Sequence, residues 1–335
     1  IDNISLEWLS MRNEETKLIY WNYKAFIEDK IGNYDIAYSS FQKSQLDSRY
    51  NVIDKSSLDK KINKYKLSVN SIDKSLNNIF NSLEDNGISF LLGFPRSGTT
   101  LLDTILRSHP DIEVLEEKPL ISSIEILIRD KLKCSIDNIF KLPEEDIIML
   151  RNSYIQHQQK YINRKDSLII DKLPLNTISI PLINLLFPNA KIIFTHRHPY
   201  DTVLSCFQQT FKPNESMANL RTLKSSAVIY DRVMDVWDIY TNKLNLNFIT
   251  SKYENLIEDF DSHTSRILDF LEVGWDERVK DYRNTALDRG KINTPSSSQV
   301  VQPLYKTSIN KWKNYEHYFD ECHEYLEKWV SYFGY

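Results

Sequence analysis

The sequence predicts an α/β protein: a P-loop-type parallel sheet flanked by helices, preceded by an N-terminal all-α extension. Three observations carry this. Short apolar runs at 88–93 (ISFLLG), 167–171 (SLIID), 191–195 (KIIFT) and 246–250 (LNFIT) are separated by stretches of helical character. Such alternation implies βαβ units with helices on both faces of the sheet. The first run leads into Gly-Phe-Pro-Arg-Ser-Gly-Thr-Thr at 93–100, a strand–turn–helix passage whose two glycines allow positive φ and close approach to an anion. Upstream of residue 88, apolar residues recur instead at helical spacing.

The chain has 335 residues and 41% hydrophobic content, enough for roughly two domains or one large domain with an extension. Its formal net charge of -4 gives no overall attraction to nucleic acid or to an anionic membrane, so any anion site is local. No apolar run approaches the ~18 residues needed to span a bilayer. The chain begins at Ile1 rather than Met, so a preceding segment is expected. Cys134, Cys206 and Cys322 show neither disulfide-framework nor zinc spacing, which favours a reducing, cytoplasmic location.

Residues 1–50 form the helical extension. Trp21, Ala25, Gly32, Tyr34, Ala37, Phe41 and Ser44 are spaced as in one tetratricopeptide unit, with small residues where two helices touch and Gly between them. One such unit leaves an apolar face uncovered. The expectation is a contact with the next domain, with another protein, or with a second copy in a homodimer. Residues 51–87 are polar, with apolar positions at Ile62, Tyr65, Leu67, Ile72, Leu76, Ile79 and Leu83, and read as a helical linker. The third region, 88–335, carries the sheet.

In an open parallel sheet, ligands bind at the carboxyl ends of the strands. That rule gathers residues far apart in sequence. Gly93–Thr100 enters a helix expected at 99–109, whose unpaired N–H groups attract an anion. Ser97, Gly98, Thr99 and Thr100 supply donors, Arg96 a fixed charge, and Pro95 a rigid turn. A nucleotide-triphosphate loop would place Lys after the second glycine; Thr99 stands there, which argues against an ordinary NTPase. Arg197 lies at the end of another strand, followed by Pro199 at a helix start and Ser205 two turns on. Lys172 follows a third strand, within "DKLP". The carboxylates of "EVLEEKP", 113–119, include candidates for a general base. His196 and His198 lack a ligand-spaced partner and are read as structural, so no metal is expected.

Taken together, "GFPRSGTTLLDTILRSHP", "EEKP", "DKLP", "KYENLIEDF", "ILDFLEVGWDERV" and "SSSQVVQPLYKTSINKWKNYE" resemble the PAPS-dependent sulfotransferases. They are most similar to bacterial members that carry tetratricopeptide repeats and are related to tyrosylprotein sulfotransferases. The resemblance runs from about 88 to 330. It implies sulfuryl transfer from 3′-phosphoadenosine 5′-phosphosulfate (PAPS) to an acceptor hydroxyl, leaving 3′,5′-ADP (PAP), with no metal. Arg96–Thr100 would cradle the phosphosulfate, and Arg197 with Ser205 the 3′-phosphate. Tyr253, Ser297 and Lys311 would complete the nucleotide site. Glu117 would be the base, with Lys172 and Arg96 stabilising charge as it moves to the leaving group. Trp312 is expected to pack. Tyrosylprotein enzymes place an arginine just after the acidic pair, whereas this chain has Lys118-Pro119. A peptide tyrosine, a sugar, a lipid and a small phenol all remain as acceptors. The rival readings are a P-loop phosphotransferase, which would need ATP and Mg²⁺, and a non-catalytic tetratricopeptide interaction protein.

Overall fold

The computed structural model describes residues 9–72, 87–164, 166–289 and 300–335. The chain divides into two compact units, one built from residues up to Asp59, His198–Arg232 and Thr307–Tyr335, the other from Lys60–Arg197 and Val233–Lys306.

The first unit opens with an antiparallel helical pair, α1 (Glu14–Lys30) and α2 (Tyr34–Ser44). Asn13 caps α1, its side chain accepting from Thr16 N–H at 2.9 Å, and Glu14 and Glu15 sit in the first turn, where the helix dipole favours acids. Gly32 makes the turn at φ 88°. Ala25 and Ala37 are fully buried, as expected of small residues where two helices touch. Further along the chain come α3 (Ser56–Ser68), α8 (Pro199–Phe207) and α13 (His323–Tyr332), of which α8 and α13 belong to this unit. The hairpin is tied to α8 and the residues after it, since the Gln45 amide donates to the carbonyls of Phe207 (2.7 Å) and Gln209 (2.9 Å). Tyr38 of α2 stacks on Tyr318 at 3.6 Å.

The second unit holds a five-stranded, all-parallel sheet in the order β2-β3-β1-β4-β5. The strands are β1 (Ile88–Gly93), β2 (Ile112–Glu116), β3 (Leu168–Lys172), β4 (Lys191–His196) and β5 (Asn247–Lys252). Four coincide with the apolar runs read from sequence. The fifth, β2, falls where only a carboxylate-rich stretch was read. Between and after the strands run α4 (Thr99–Arg107), α5 (Leu120–Asp130), α6 (Glu144–Gln159), α7 (Ile180–Leu186), α10 (Tyr253–Glu258), α11 (Phe260–Leu271) and α12 (Tyr282–Asp288). The long helix α9 (Leu223–Lys243) contributes to both units.

Strand parity decides which side chains meet which helices. Leu91, Val114, Ile170 and Ile193 share one face and pack with Leu102, Ile105 and Leu106 of α4 and Ile267, Leu268 and Leu271 of α11. The register Leu91↔Lys172 and Glu116↔Lys172 puts Lys172 and Glu116 on this same face, at the carboxyl edge. The opposite face carries Phe194, stacked on Trp237 of α9 at 3.7 Å, and Phe90, against Tyr154 of α6 and Phe187. Asp171 belongs to that second face, where it accepts from the Tyr154 hydroxyl at 2.7 Å.

Candidate active site

The β1–α4 connection is a constrained turn. At Gly93 (φ 154°) a Cβ would stand 2.5 Å from the Thr195 carbonyl oxygen. At Gly98 (φ 102°) it would stand 2.7 Å from the Tyr253 ring. Arg96 adopts φ 70°, a left-handed conformation that costs a non-glycine residue about 1–2 kcal/mol. Such strain persists where the surroundings hold it, and it clusters at functional sites. Ser97 supplies one restraint. The Thr195 hydroxyl donates to Leu92 O at 3.1 Å, so its 2.8 Å bond with Ser97 must use the Ser97 proton. The Ser97 hydroxyl therefore ties the turn to β4 and directs its proton inward. Thr99 and Thr100, both buried, open α4, and its first turn brings backbone N–H groups to the carboxyl edge of the sheet.

Arg197 directly follows β4 and is 7% exposed. Its guanidinium lies 5.1 Å from the ring centroid of Tyr253, the first residue of α10. One Tyr253 ring therefore meets the β1–α4 turn at Gly98 and the cation at Arg197. Tyr305 lies in electrostatic reach of Tyr253, Arg197 and Arg96, and burial pushes its phenol above the ordinary range.

The second half of the site is a knot of six charges. The Lys172 side chain is fully buried. Its Nζ lies 3.1 Å from Glu117 Oε1, 3.4 Å from Glu116 Oε1 and 3.8 Å from Asp103 Oδ2. Arg107 binds Asp103 Oδ1 through Nε (2.9 Å) and Nη2 (2.8 Å). Arg289 pairs through Nη2 with Glu116 Oε2, and its Nη1 lies 3.9 Å from Asp103 Oδ2. Asp103 and Glu116 are enclosed, whereas the Glu117 side chain keeps 36% exposure. Glu117 sits just past β2 at φ 49°, its N–H held by Lys172 O at 2.8 Å. The two chain segments are thereby locked backbone to backbone and side chain to side chain. Asp171 behaves differently one residue away: burial without a countercharge at contact distance pushes its carboxyl up to about 7, only partly offset by the Tyr154 hydrogen bond and by Lys172.

Pro95, Arg96, Ser97, Gly98, Thr99, Thr100, Glu117, Lys172, Arg197 and Tyr253 all lie in the second unit, at or just beyond the carboxyl ends of its strands. Ser205 and Lys311 belong to the first unit. There Ser205 is half-buried on α8. Lys311 Nζ pairs with Asp29 Oδ2 at 2.6 Å and reaches Gln208 Oε1 at 3.3 Å. Ser297 lies outside the described residues. Burial drives the His196 imidazole down to about 3, which keeps it neutral, and His198 stacks on Trp312 at 5.5 Å. Among the described residues, no group of three or more His, Cys, Asp or Glu side chains is arranged to hold a metal, and no helix is long and apolar enough to cross a membrane.

Sequence reasoning passed over Asp103, Arg107 and Arg289, and read Glu116 only as one of the carboxylates of 113–119. One signal was present: Asp103 stands between Leu102 and Ile105 in a helix whose apolar residues are Leu101, Leu102, Ile105 and Leu106, with Arg107 four residues on. Nothing local marks Arg289.

This chain is similar to an uncharacterized protein of Aquifex aeolicus, 31% identical over 250 residues that cover 71% of the chain and 32% of the relative. It is also similar to protein-tyrosine sulfotransferase A of Caenorhabditis elegans, 26% identical over 237 residues, 67% of the chain and 60% of the relative. It thus spans about a third to three-fifths of the length of these relatives. Among solved structures, the sulfotransferase domain of the Synechococcus PCC 7002 olefin synthase aligns with 74% of the chain and 95% of its own length, at 21% identity and a TM-score of 0.50, a likeness of fold. The profile described as "Sulfotransferase family" matches residues 89–277, a span that holds the β1–α4 turn, the Glu117–Lys172 pair, Arg197 and Tyr253, and the chain belongs to that family.

Proposed function

We propose that the chain is a PAPS-dependent sulfotransferase that moves a sulfuryl group to an acceptor hydroxyl by in-line displacement. The observation that carries this is the Glu117–Lys172 contact, 3.1 Å long, at the same sheet edge as a phosphate turn that has no lysine of its own. A carboxylate that keeps solvent access, beside a buried ammonium, is an arrangement for moving a proton one way and negative charge the other.

In this reading the acceptor oxygen forms a bond to sulfur as the bond from sulfur to the 5′-phosphate oxygen breaks. Glu117 takes the hydroxyl proton. The electron pair goes to the leaving phosphate, where Lys172 and Arg96 oppose the growing charge. The first turn of α4, from Gly98 through Thr99 and Thr100, holds the 5′-phosphosulfate with backbone N–H and hydroxyl donors, while Pro95 and Ser97 keep the turn in shape. Arg197, backed by the Tyr253 ring, takes the 3′-phosphate. Sequence also assigns Ser205, Ser297 and Lys311 to the nucleotide. Holding the acceptor in line would supply much of the remaining rate.

A peptide tyrosine is the first acceptor to test, because relatives bear the name protein-tyrosine sulfotransferase. The sequence supports a division into a tetratricopeptide-like segment at 1–50, a helical linker at 51–87 and a catalytic region at 88–335. The spacing of Cys134, Cys206 and Cys322, which fits neither a disulfide framework nor a zinc site, supports a reducing, cytoplasmic location.

The test is calorimetric titration with PAP and, separately, with ATP and Mg²⁺, followed by labelled PAPS with tyrosine peptides, sugars and phenols. Micromolar PAP binding without ATP binding, and label transfer to one acceptor class, would support the reading. Preference for ATP would return the turn to phosphotransferases. Binding of neither by folded protein would favour a non-catalytic role.

A further inference from the structure

We propose that Arg289, acting through Glu116, is a positioning residue that keeps the Lys172 ammonium at Glu117. The inference rests on the reading of Glu117 and Lys172 given above.

A buried ammonium must be compensated, and three carboxylates compete for this one. Left to themselves, the enclosed acids would win, because attraction grows as water is excluded. Each enclosed acid has instead its own guanidinium: Arg107 on Asp103, and Arg289 on Glu116. With those demands met, Glu116 and Asp103 stand 3.4 and 3.8 Å from Nζ, and Glu117 is the nearest at 3.1 Å. Three acids and three bases balance. The outermost acid, the one open to a substrate, thereby keeps the lysine.

Arg289 is suited to this task by placement and shape. It follows α12, its N–H bonded to Thr285 O at 3.2 Å. Thr285 is itself joined to α4 by the Ser108 hydroxyl at 2.8 Å. The helix that carries Asp103 therefore also fixes the helix that delivers Arg289. One planar fork then reaches both Glu116 and Asp103, which a lysine's single ammonium would not do with the same geometry.

Without Arg289 the knot carries an extra negative charge, and Glu116 turns both oxygens toward Lys172. The ammonium is drawn inward, away from Glu117 and the reacting atoms. The phosphate turn and Arg197 are untouched. The consequence is a loss in kcat without a loss in nucleotide affinity, which a general loosening of the fold would not give.

The experiment compares Arg289→Met, Glu116→Gln and the double variant by kcat, PAPS KM and PAP affinity. Arg289→Met should lower kcat on the order of 10-fold or more, with PAP affinity kept within about 2-fold. The double variant, which removes the charge pair together, should regain most of the lost kcat, as coupled neighbours do. A double variant as slow as Arg289→Met, or slower, overturns the proposal. Should Arg289→Met not fold, Arg289→Lys is read in its place: lowered kcat with parental PAP affinity supports the proposal, and parental kcat overturns it. Crystal structures of the same variants give a reading that needs no turnover. With Arg289 replaced, Nζ should lie nearer Glu116 than Glu117; an unmoved Nζ overturns the proposal. Parental turnover in Glu117→Gln would overturn the assignment of the base instead, and the structures would still decide the role of Arg289.

Discussion

Replacing Gly98 by Ala should damage both stability and nucleotide binding, and the structure separates two causes. The first is backbone: φ 102° lies where an L side chain is strained, by about 1–2 kcal/mol. The second is contact: the new Cβ would sit 2.7 Å from Tyr253 Cδ2, well inside van der Waals separation. That neighbour is the flank of a ring fixed at the start of α10, not the end of a flexible chain, so relief requires the ring to move. Overpacking of this kind costs roughly 1–3 kcal/mol. Together these predict a destabilisation of about 2–5 kcal/mol, seen as a melting temperature lower by on the order of 10 °C. A displaced ring would also loosen its hold on Arg197, weakening PAP. Urea denaturation and PAP titration of Gly98→Ala, Tyr253→Ala and the double variant measure all three terms. Gly98→Ala should cost less when Tyr253 is already Ala, because only the backbone term remains. Equal costs in both backgrounds, within about 0.5 kcal/mol, would show that the ring is not the obstacle and would refute the reasoning.

Glu117→Gln should keep PAP affinity and lose turnover by roughly 100-fold or more, the usual worth of a general base; steady-state assay with labelled PAPS checks it. Arg197→Ala should weaken PAP far more than 5′-AMP in paired titrations, since only PAP carries a 3′-phosphate. Asp171 titrates near 7 when folded, against an ordinary value of 3.8, so between those values the folded chain holds a proton the unfolded chain has released. Its contribution to stability is complete below pH 4 and is lost as pH rises through 7. Asp171→Asn should therefore gain stability relative to the parent between pH 5 and pH 8 in urea titrations, and a constant difference across that range would contradict the buried, uncompensated carboxyl.

The strands most legible in sequence were those whose apolar residues run together, because a strand covered on both faces needs no alternation. β2 escaped notice for the opposite reason. It lies at the end of the sheet order, is five residues long, and carries Glu113 and Glu116 among its apolar positions. Glu113 is held by the backbone N–H groups of Asn163 and Arg164, partners that no local pattern announces. The β1–α4 turn was legible as a candidate anion site because its signals are local: two glycines, a hydroxyl run and a strand before them. What Ser97 does was not, since its partner Thr195 comes from another strand. The charges around Lys172 were illegible for the same reason on a larger scale. Asp103, Glu116 and Arg289 come from a helix, a strand and a helix end, and only the folded chain makes them neighbours.

Strand β3 ends in two residues of opposite charge that point to opposite sides of the sheet. Lys172 enters a nest of carboxylates, while Asp171 meets the hydroxyl of Tyr154. Suppose β3 paired with its neighbours one residue out of step during folding. A slip one way would put the Asp171 carboxyl where Lys172 stands, among Asp103, Glu116 and Glu117, and a slip the other way would put the Lys172 ammonium where Asp171 stands, beside Phe90. Both faults are electrostatic, so a slip in either direction is penalised. Parallel strands joined by long crossovers assemble slowly and have ample opportunity for such errors. The opposite charges that end β3 would thus oppose a slip of the strand in either direction.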